Sequence, residues 1–243
     1  MSNDYFRFRQ FTVYQSRCAM KVGTDGTLLG AWAKLPGQGK EAQPVRPRIL
    51  DIGTGTGLIA LMMSQRYPDA EVWGIDIDRD AVVQATQNVA DSLFAHRIHI
   101  CEADVCNWQA EDTDFTPASG FDAIVSNPPY FIDSLTCPDE QRTAARHTAS
   151  LSYGQLMKAA RKLLKSDGKL SIIIPNDCRR QLESAAILEG FFIQRICGVR
   201  TTLRKPPKRF LLQFGLHSEN QLSEEIVIGS YEYRKLTQDF YLS

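Results

Sequence analysis

A glycine-rich turn between an apolar strand and an apolar helix constrains the fold of this chain more than any other stretch. Residues 48–52 predict a buried strand, residues 51–57 read Asp-Ile-Gly-Thr-Gly-Thr-Gly, and residues 58–65 predict a helix. Glycines let the backbone bend tightly and approach a ligand closely, and the first turn of a helix offers unpaired N–H donors. The unit therefore predicts an α/β protein with a nucleotide-binding site at the carboxyl ends of parallel strands.

The acidic residue ahead of the glycines narrows the class of ligand. The pattern is Asp-x-Gly-x-Gly-x-Gly, which differs from the Gly-x-Gly-x-x-Gly of dinucleotide-binding enzymes. A carboxylate at Asp51 disfavours a pyrophosphate and suits the cationic end of a ligand such as S-adenosylmethionine. The candidate cofactor contacts in this turn are Asp51, Gly53, Gly55 and Gly57.

Carboxylates also follow the next two predicted strands. Asp76 directly follows the predicted strand at residues 71–75, and Asp104 comes shortly after the predicted strand at residues 98–101. A carboxylate after the second strand of such a unit can bind both hydroxyls of a ribose, and Asp78 is expected to cap the following helix. Asp104 would accept the N6 amine of an adenine. Its register with two other polar strand ends favours this role over an ordinary loop carboxylate.

The stretch Asn127-Pro128-Pro129-Tyr130 follows the apolar run at residues 121–125. Prolines cannot continue a sheet ladder, so the pattern indicates a buried strand that ends in a rigid turn. The Asn127 carboxamide oxygen and the Pro128 carbonyl would accept the two protons of a planar NH2 group, and Tyr130 would stack on the attached ring. A proline turn without a ligand is the alternative for these four residues taken alone.

The N-terminal segment carries two further signals. Residues 6–20 mix aromatic and basic side chains, and the alternation of ring and charge at residues 6–11 fits either a packed strand or an arm that stacks bases and pairs phosphates. After it, Thr24 or Asp25 would cap a helix that runs through Trp32, and the start of that helix would offer N–H groups to a carboxylate. A simple capped turn is the alternative there.

Positive charge is concentrated in two later segments of a chain whose formal net charge is +0. Arg142 and Arg146 lie in the long segment 131–150, where phosphate binding and a solvated surface are both open. The second segment contains Arg204, Lys205, Lys208 and Arg209. Charge runs are usually solvated loops, but this one lies between the last two predicted strands, beside the predicted pocket, which favours contact with a nucleic acid.

Length and composition are those of an ordinary globular protein. At 243 residues and 43% hydrophobic, the chain fits one large domain with small additions. Six scattered cysteines without a Cys-x-x-Cys pair predict neither disulfides nor zinc, and no metal is expected. No apolar run is long enough to cross a bilayer, so we expect a cytoplasmic protein without a membrane partner.

Five features occur in one order: the turn at residues 23–26, the segment 51–57, Asp76, Asp104 and residues 127–130. In this order the chain resembles the Rossmann-like S-adenosylmethionine-dependent amino methyltransferases. Residues 18–32, 145–148 and 233–241 are similar to a narrower group. That group is the bacterial tRNA (adenine-N6)-methyltransferase family, which modifies an adenosine beside the anticodon of a valine tRNA.

The resemblance implies an α/β fold with a seven-stranded, mostly parallel sheet, helices on both faces and an antiparallel last strand. It implies S-adenosylmethionine as cofactor, tRNA as partner, and catalysis by Asn127, Pro128, Pro129 and Tyr130. The expected division is an arm and cofactor-carboxylate turn at residues 1–47, a methyltransferase core at 48–216, and a tail packing on the core at 217–243.

Four other functions share part of the pattern. Release-factor glutamine methyltransferases and DNA adenine methyltransferases carry the same four residues as 127–130, but usually with an added domain for which this chain has little room. Ribosomal RNA guanine-N2 methyltransferases are the nearest enzyme alternative, because guanine also offers an exocyclic amine. A tRNA-binding protein without transferase activity is the remaining alternative, and the complete set of motifs disfavours it.

Overall fold

The computed structural model describes residues 4–18, 20–37, 46–108, 120–129 and 151–242. Its strands are β1 (Tyr5–Arg7), β2 (Thr12–Tyr14), β3 (Arg48–Ile52), β4 (Glu71–Asp76), β5 (Ile98–Glu102), β6 (Phe121–Ser126), β7 (Leu164–Pro175), β8 (Phe192–Arg200), β9 (Arg209–Gly215) and β10 (Leu222–Val227). Its helices are α1 (Thr24–Trp32), α2 (Leu58–Arg66), α3 (Arg79–Ala90), α4 (Tyr153–Leu163), α5 (Arg179–Leu188) and α6 (Tyr231–Thr237), with short 3-10 turns at Ala95–Arg97 and Asn176–Cys178.

The described strands form a two-stranded hairpin, β1 with β2, and an eight-stranded sheet in the order β10-β8-β9-β7-β6-β3-β4-β5. Within this sheet β9 runs antiparallel to β7 and β8, and the other described pairs are parallel. The carboxyl ends of the parallel strands therefore meet at one edge. Because β9 runs the opposite way, it begins at that same edge, where Arg209 pairs with Pro175 at the end of β7.

The prediction of a mostly parallel α/β sheet with an antiparallel strand β9 is confirmed, but the predicted count of seven strands is wrong. The described residues add an eighth strand, β10, which pairs in parallel with β8 at the edge of the sheet. Four of its six residues are exposed, so the segment lacks the apolar alternation that predicts a strand. The predicted division into residues 1–47, 48–216 and 217–243 stays a prediction.

Two hydrophobic layers cover the sheet. One contains α1, α2 and the phenylalanines of the hairpin, and the other contains α4 and α5. Helix α2 is buried from Leu58 to Ser64, because it lies between the sheet and α1. The two helices approach closely at Gly30, where a Cβ atom would lie 2.7 Å from the sulfur of Met62.

The helix predictions hold with one correction. Asp78 caps α3 as expected, with its side chain accepting a hydrogen bond from the Asp80 amide. Helix α1 runs through Trp32 as expected, but it begins at Thr24 with Gly23 as its N-cap, so neither Thr24 nor Asp25 caps it. Among the helices described here, none combines the length and apolar character that crossing a bilayer requires.

Candidate active site

A cleft of about 1070 Å³ opens at the carboxyl edge of the sheet. Its walls come from the ends of β3, β4, β5 and β6, from the first turn of α1, and from the chain that precedes α1. Polar groups from separate strands converge here because parallel strands bring their carboxyl ends together. The described residues hold no group of three or more His, Cys, Asp or Glu side chains placed to bind a metal ion.

The glycine loop after β3 forms one wall. Gly53, Gly55 and Gly57 have φ values of 71°, 55° and 78°. Residues other than glycine rarely adopt this backbone conformation. The Gly53 and Thr54 amides both donate to the carbonyl of Ile75 at 2.9 Å, which ties the loop to β4. A Cβ atom on Gly53 or Gly55 would meet nothing within 4 Å, so the space beside both is open to a ligand.

Asp51 lies behind this loop and is fully buried. Its Oδ2 accepts hydrogen bonds from the Thr54 hydroxyl at 2.7 Å and from the Ala60 amide at 3.2 Å. Burial raises the pKa of Asp51 to about 7, against the opposing effect of these two hydrogen bonds. Asp51 and Gly57 do not occur among the described residues that line the cleft. In the structure, Asp51 supports the loop from behind through these hydrogen bonds, and Gly57 is the N-cap of α2.

Asp76 and Asp104 both line the cleft, as the sequence predicts. Oδ2 of Asp76 accepts from the Gly55 amide at 2.9 Å, and its Oδ1 accepts from the Asp78 amide at 3.0 Å. Asp104 accepts from the Cys106 amide at 2.9 Å and from the Asn107 side chain at 2.7 Å. These hydrogen bonds orient both carboxylates at the cleft.

Asn127, Pro128 and Pro129 line the cleft at the end of β6. The preceding Ser126 hydroxyl donates to the carbonyl of Ile52 at 2.9 Å, which joins this strand end to the start of the glycine loop. Asn127 Nδ2 lies 3.7 Å from the sulfur of Met20. The segment that the sequence predicts to receive an amine therefore stands in one cleft with the glycine loop. Tyr130, which completes the motif, lies outside the described residues.

Thr24 and Asp25, in the first turn of α1, face the cleft as predicted. Oδ2 of Asp25 accepts a hydrogen bond from Nε of Arg209 at 2.8 Å, and both side chains are half-buried. Arg209 is a predicted RNA contact, and the structure pairs its guanidinium group with the cleft wall. The other members of its basic run, Arg204, Lys205 and Lys208, are exposed in the loop between β8 and β9. Arg142 and Arg146 lie outside the described residues.

The cleft lining also includes Cys18, Met20, Leu151 and Gln155. Cys18 and Met20 lie in the segment 18–32 that carries the family resemblance, but the sequence predicts a role in the site for none of the four. Burial and the nearby carboxylates of the β4–α3 turn raise the pKa of the Cys18 thiol to about 11, so it presents a neutral wall. Gln155 forms a capping box with Ser152 at the start of α4. That spacing is readable from sequence, whereas the position of the helix start beside the cleft is not.

The chain matches the model of the methyltransferase small domain over residues 40–199. It is 45% identical to the tRNA1(Val) (adenine(37)-N6)-methyltransferase of Bacteroides thetaiotaomicron, with 100% of this chain and 99% of the relative covered. The enzyme of the same name from Phocaeicola vulgatus is 46% identical, with 100% of both chains covered.

Solved structures agree on the fold. A predicted O-methyltransferase from Agrobacterium tumefaciens superposes with a TM-score of 0.66 at 20% identity, covering 89% of this chain and 96% of that chain. The CcbJ methyltransferase from Streptomyces caelestis superposes with a TM-score of 0.55 at 11% identity, covering 81% and 91%. At these identities the likeness concerns the fold alone.

Proposed function

Because this chain belongs to the tRNA1(Val) (adenine(37)-N6)-methyltransferase family, we propose that it methylates the exocyclic N6 of an adenosine next to the anticodon of a valine tRNA, using S-adenosylmethionine. The observation that carries the proposal is the full-length identity of 45% with a relative of that name. The site supports it, since Asn127, Pro128 and Asp76 line one cleft.

The cleft suits S-adenosylmethionine in size and in its donor set. A volume of about 1070 Å³ admits a ligand of that size. Asp76 would bind the ribose hydroxyls, Asp104 would accept from the adenine amine, and the open space at Gly53 and Gly55 would admit the ligand against the backbone. When bound, S-adenosylmethionine supplies an electrophilic methyl group.

The start of α1 would receive the carboxylate of the cofactor. Helix N-termini attract anions through their unpaired N–H groups, but Asp25 places a carboxylate in the same turn. The Arg209 guanidinium compensates that charge at 2.8 Å. A ligand carboxylate would therefore meet the N–H groups of the helix start without an unbalanced like charge beside it.

Asn127 and Pro128 would orient the adenine amine. Adenine N6 is a weak nucleophile, because its lone pair is delocalised into the ring. The Asn127 carboxamide oxygen and the Pro128 carbonyl would accept its two protons, which favours a pyramidal nitrogen with its lone pair directed at the methyl group. Positioning and fixed dipoles then lower the barrier without a strong base. Among the described residues that line the cleft, none is a histidine.

The tRNA would lie along the carboxyl edge of the sheet. Arg204, Lys205 and Lys208 are exposed on the loop between β8 and β9, and that loop lies at the same edge as the cleft. Such groups would pair with phosphates. From the sequence, Arg142 and Arg146 remain further candidates for phosphate contact, and Tyr130 remains the candidate that stacks on the target base.

The test is methyl transfer from labelled S-adenosylmethionine into total tRNA from a strain that lacks this modification, followed by nucleoside mass spectrometry. We expect N6-methyladenosine in a valine tRNA. Label in guanosine would assign the chain to guanine-N2 chemistry. Label in a release factor or in DNA, with none in tRNA, would overturn the substrate assignment, and no transfer to any acceptor would overturn the enzyme assignment.

A further inference from the structure

The outer face of the N-terminal hairpin carries a pair of exposed aromatic rings. Tyr5 and Tyr14 are directly opposed across β1 and β2, with ring centroids 6.1 Å apart. They are 49% and 42% exposed. Side chains alternate between the two faces of a strand, so Arg7 also points outward, and it is exposed. This outer face thus combines two rings and a guanidinium group.

The inner face of the hairpin already accounts for its packing. Phe8 and Phe11 are buried and stack at a centroid distance of 4.8 Å, and Phe8 also stacks on Tyr241 at 5.9 Å. The packed-strand interpretation of this segment therefore holds for the phenylalanines. Packing does not explain the two half-exposed tyrosines on the outer face, because only the inner face of the hairpin packs against the rest of the protein.

The hairpin is held in a fixed position beside the cleft. The buried Asn88 side chain accepts from the Tyr14 amide at 2.9 Å and donates to the Tyr14 carbonyl at 2.8 Å. The same side chain donates to the carbonyl of Thr56, a cleft residue, at 2.8 Å. One step along the chain, the Gln15 side chain accepts from the amide of Val22, which also lines the cleft.

The charge of the segment suits a polyanion. Residues 4–17 carry one carboxylate, Asp4, against three exposed guanidinium groups, Arg7, Arg9 and Arg17. Exposed aromatic rings interleaved with arginines are what unpaired nucleotides require, because bases stack on the rings while the guanidinium groups pair with phosphates. A protein partner would use the rings equally well but would have less need of the surrounding positive charge.

We propose that the outer face of the hairpin, formed by Tyr5, Arg7 and Tyr14, binds unpaired nucleotides of the substrate RNA next to the target base. The inference rests on the proposed function, which makes RNA the substrate. It adds a second RNA-binding surface to the basic loop between β8 and β9. The two surfaces differ in chemistry, since the loop offers charge while the hairpin offers stacking.

The first experiment compares steady-state methyl transfer to tRNA by the wild type, two double variants and one single-residue control. Tyr5→Leu with Tyr14→Leu keeps apolar bulk but removes both rings, and we expect the KM for tRNA to rise by about 5- to 10-fold. The KM for S-adenosylmethionine and the kcat at saturating tRNA are expected to stay unchanged. Tyr5→Phe with Tyr14→Phe keeps both rings and is expected to behave like the wild type.

Phe192→Leu is the matched control. Phe192 is a 45% exposed aromatic at the start of β8, at the sheet edge opposite the cleft. We expect it to leave the KM for tRNA unchanged. An unaltered KM in the leucine double variant, or an equal rise in the Phe192 control, would overturn the hairpin proposal while leaving the proposed function intact. A wild-type chain that labels no tRNA would overturn both.

Ultraviolet cross-linking of the wild-type chain to the tRNA gives an independent readout that does not depend on a variant folding. We expect peptides that contain Tyr5 or Tyr14 to carry cross-linked nucleotides from the anticodon loop. If cross-links formed only elsewhere on the chain, the hairpin would not be an RNA-binding surface.

Discussion

Nε of Arg209 donates a hydrogen bond to Oδ2 of Asp25 at 2.8 Å, across 184 residues of sequence. Asp25 lines the cleft from the first turn of α1, and Arg209 is the first residue of β9 and the last of the basic run. The ion pair therefore joins the segment predicted to contact RNA to the segment predicted to hold the cofactor carboxylate. On these two predictions, the RNA site and the cofactor site would share a wall.

Arg209→Gln is expected to raise the KM for S-adenosylmethionine by about 5-fold, the scale of one partly exposed ion pair. Without the guanidinium group, the Asp25 carboxylate would repel the carboxylate of the cofactor. Lys208→Gln, one residue earlier on the same loop, is expected to change only the KM for tRNA. Measurement of both KM values for both variants separates the two roles. If Arg209→Gln raised only the KM for tRNA, Arg209 would contact the RNA and would have no role in cofactor binding.

Asn127→Ala is expected to lower kcat by about 100-fold or more, the cost of removing one fixed polar contact to a transition state. Cofactor affinity, measured by calorimetry, should stay near the wild-type value, because the proposed role of Asn127 concerns the amine. Asn176→Ala serves as the control, since Asn176 is an exposed asparagine at the end of β7 outside the cleft. Near-normal turnover by the Asn127 variant would refute its proposed role.

Much of the site could be predicted because strand ends are visible in sequence. In a parallel sheet that is covered on both faces, an apolar run stops where the chain reaches the edge. A polar residue within the next three positions then lies at that edge. Asp76, Asp104 and Asn127 all follow this rule, and the structure brings all three into one cleft. The glycine loop was equally readable, since its three left-handed residues need glycine.

The rest depends on packing that sequence does not encode locally. Both faces of β3 are buried, so its apolar pattern could not show that the Asp51 carboxylate points behind the loop. Strand β10 carries mostly exposed residues at the edge of the sheet, and its pairing with β8 is a tertiary effect. The partner of Arg209 lies 184 residues away, which no reading of a charge run reveals.

Asp76→Asn is expected to weaken S-adenosylmethionine binding by about 10-fold or more, because it removes the charge from the proposed hydrogen bonds to the ribose hydroxyls. It also weakens the bond that holds the Gly55 amide at 2.9 Å. Calorimetric titration provides the measurement. Asp167→Asn, an exposed carboxylate on β7, is the control and is expected to bind normally. If the Asp76 variant bound S-adenosylmethionine as tightly as the wild type, another residue would have to bind the ribose hydroxyls.

The exposed part of the basic loop is expected to set the salt dependence of tRNA binding. Replacing Arg204, Lys205 and Lys208 with glutamine would remove three proposed phosphate contacts, and the slope of log affinity against log salt should fall by about 2 in magnitude. The comparison is Arg161→Gln with Lys162→Gln, two exposed cations near the end of α4. If both sets changed the slope equally, the loop would act only through overall charge.

Asp51 is expected to make the folded state less stable as the pH rises. Burial raises its pKa to about 7 in the folded chain, whereas an unfolded aspartate titrates near 3.8. Between these values the folded state binds the proton more tightly than the unfolded state. The contribution of Asp51 to stability is therefore complete below about pH 4, is lost progressively up to about pH 7, and is constant above it.

Asp51→Asn tests this dependence, because asparagine is neutral and its carbonyl can still accept from Thr54 and Ala60. The free energy of unfolding of wild type minus that of the variant should fall as pH rises from 4 to 7, by at most about 1.4 kcal/mol per pH unit. Urea denaturation at several pH values gives that difference and cancels the groups common to both chains. Asp167→Asn should keep the wild-type slope. A difference that stays constant from pH 4 to 7 would mean that the pKa of Asp51 is not raised in the folded chain, and the predicted pH dependence would be wrong.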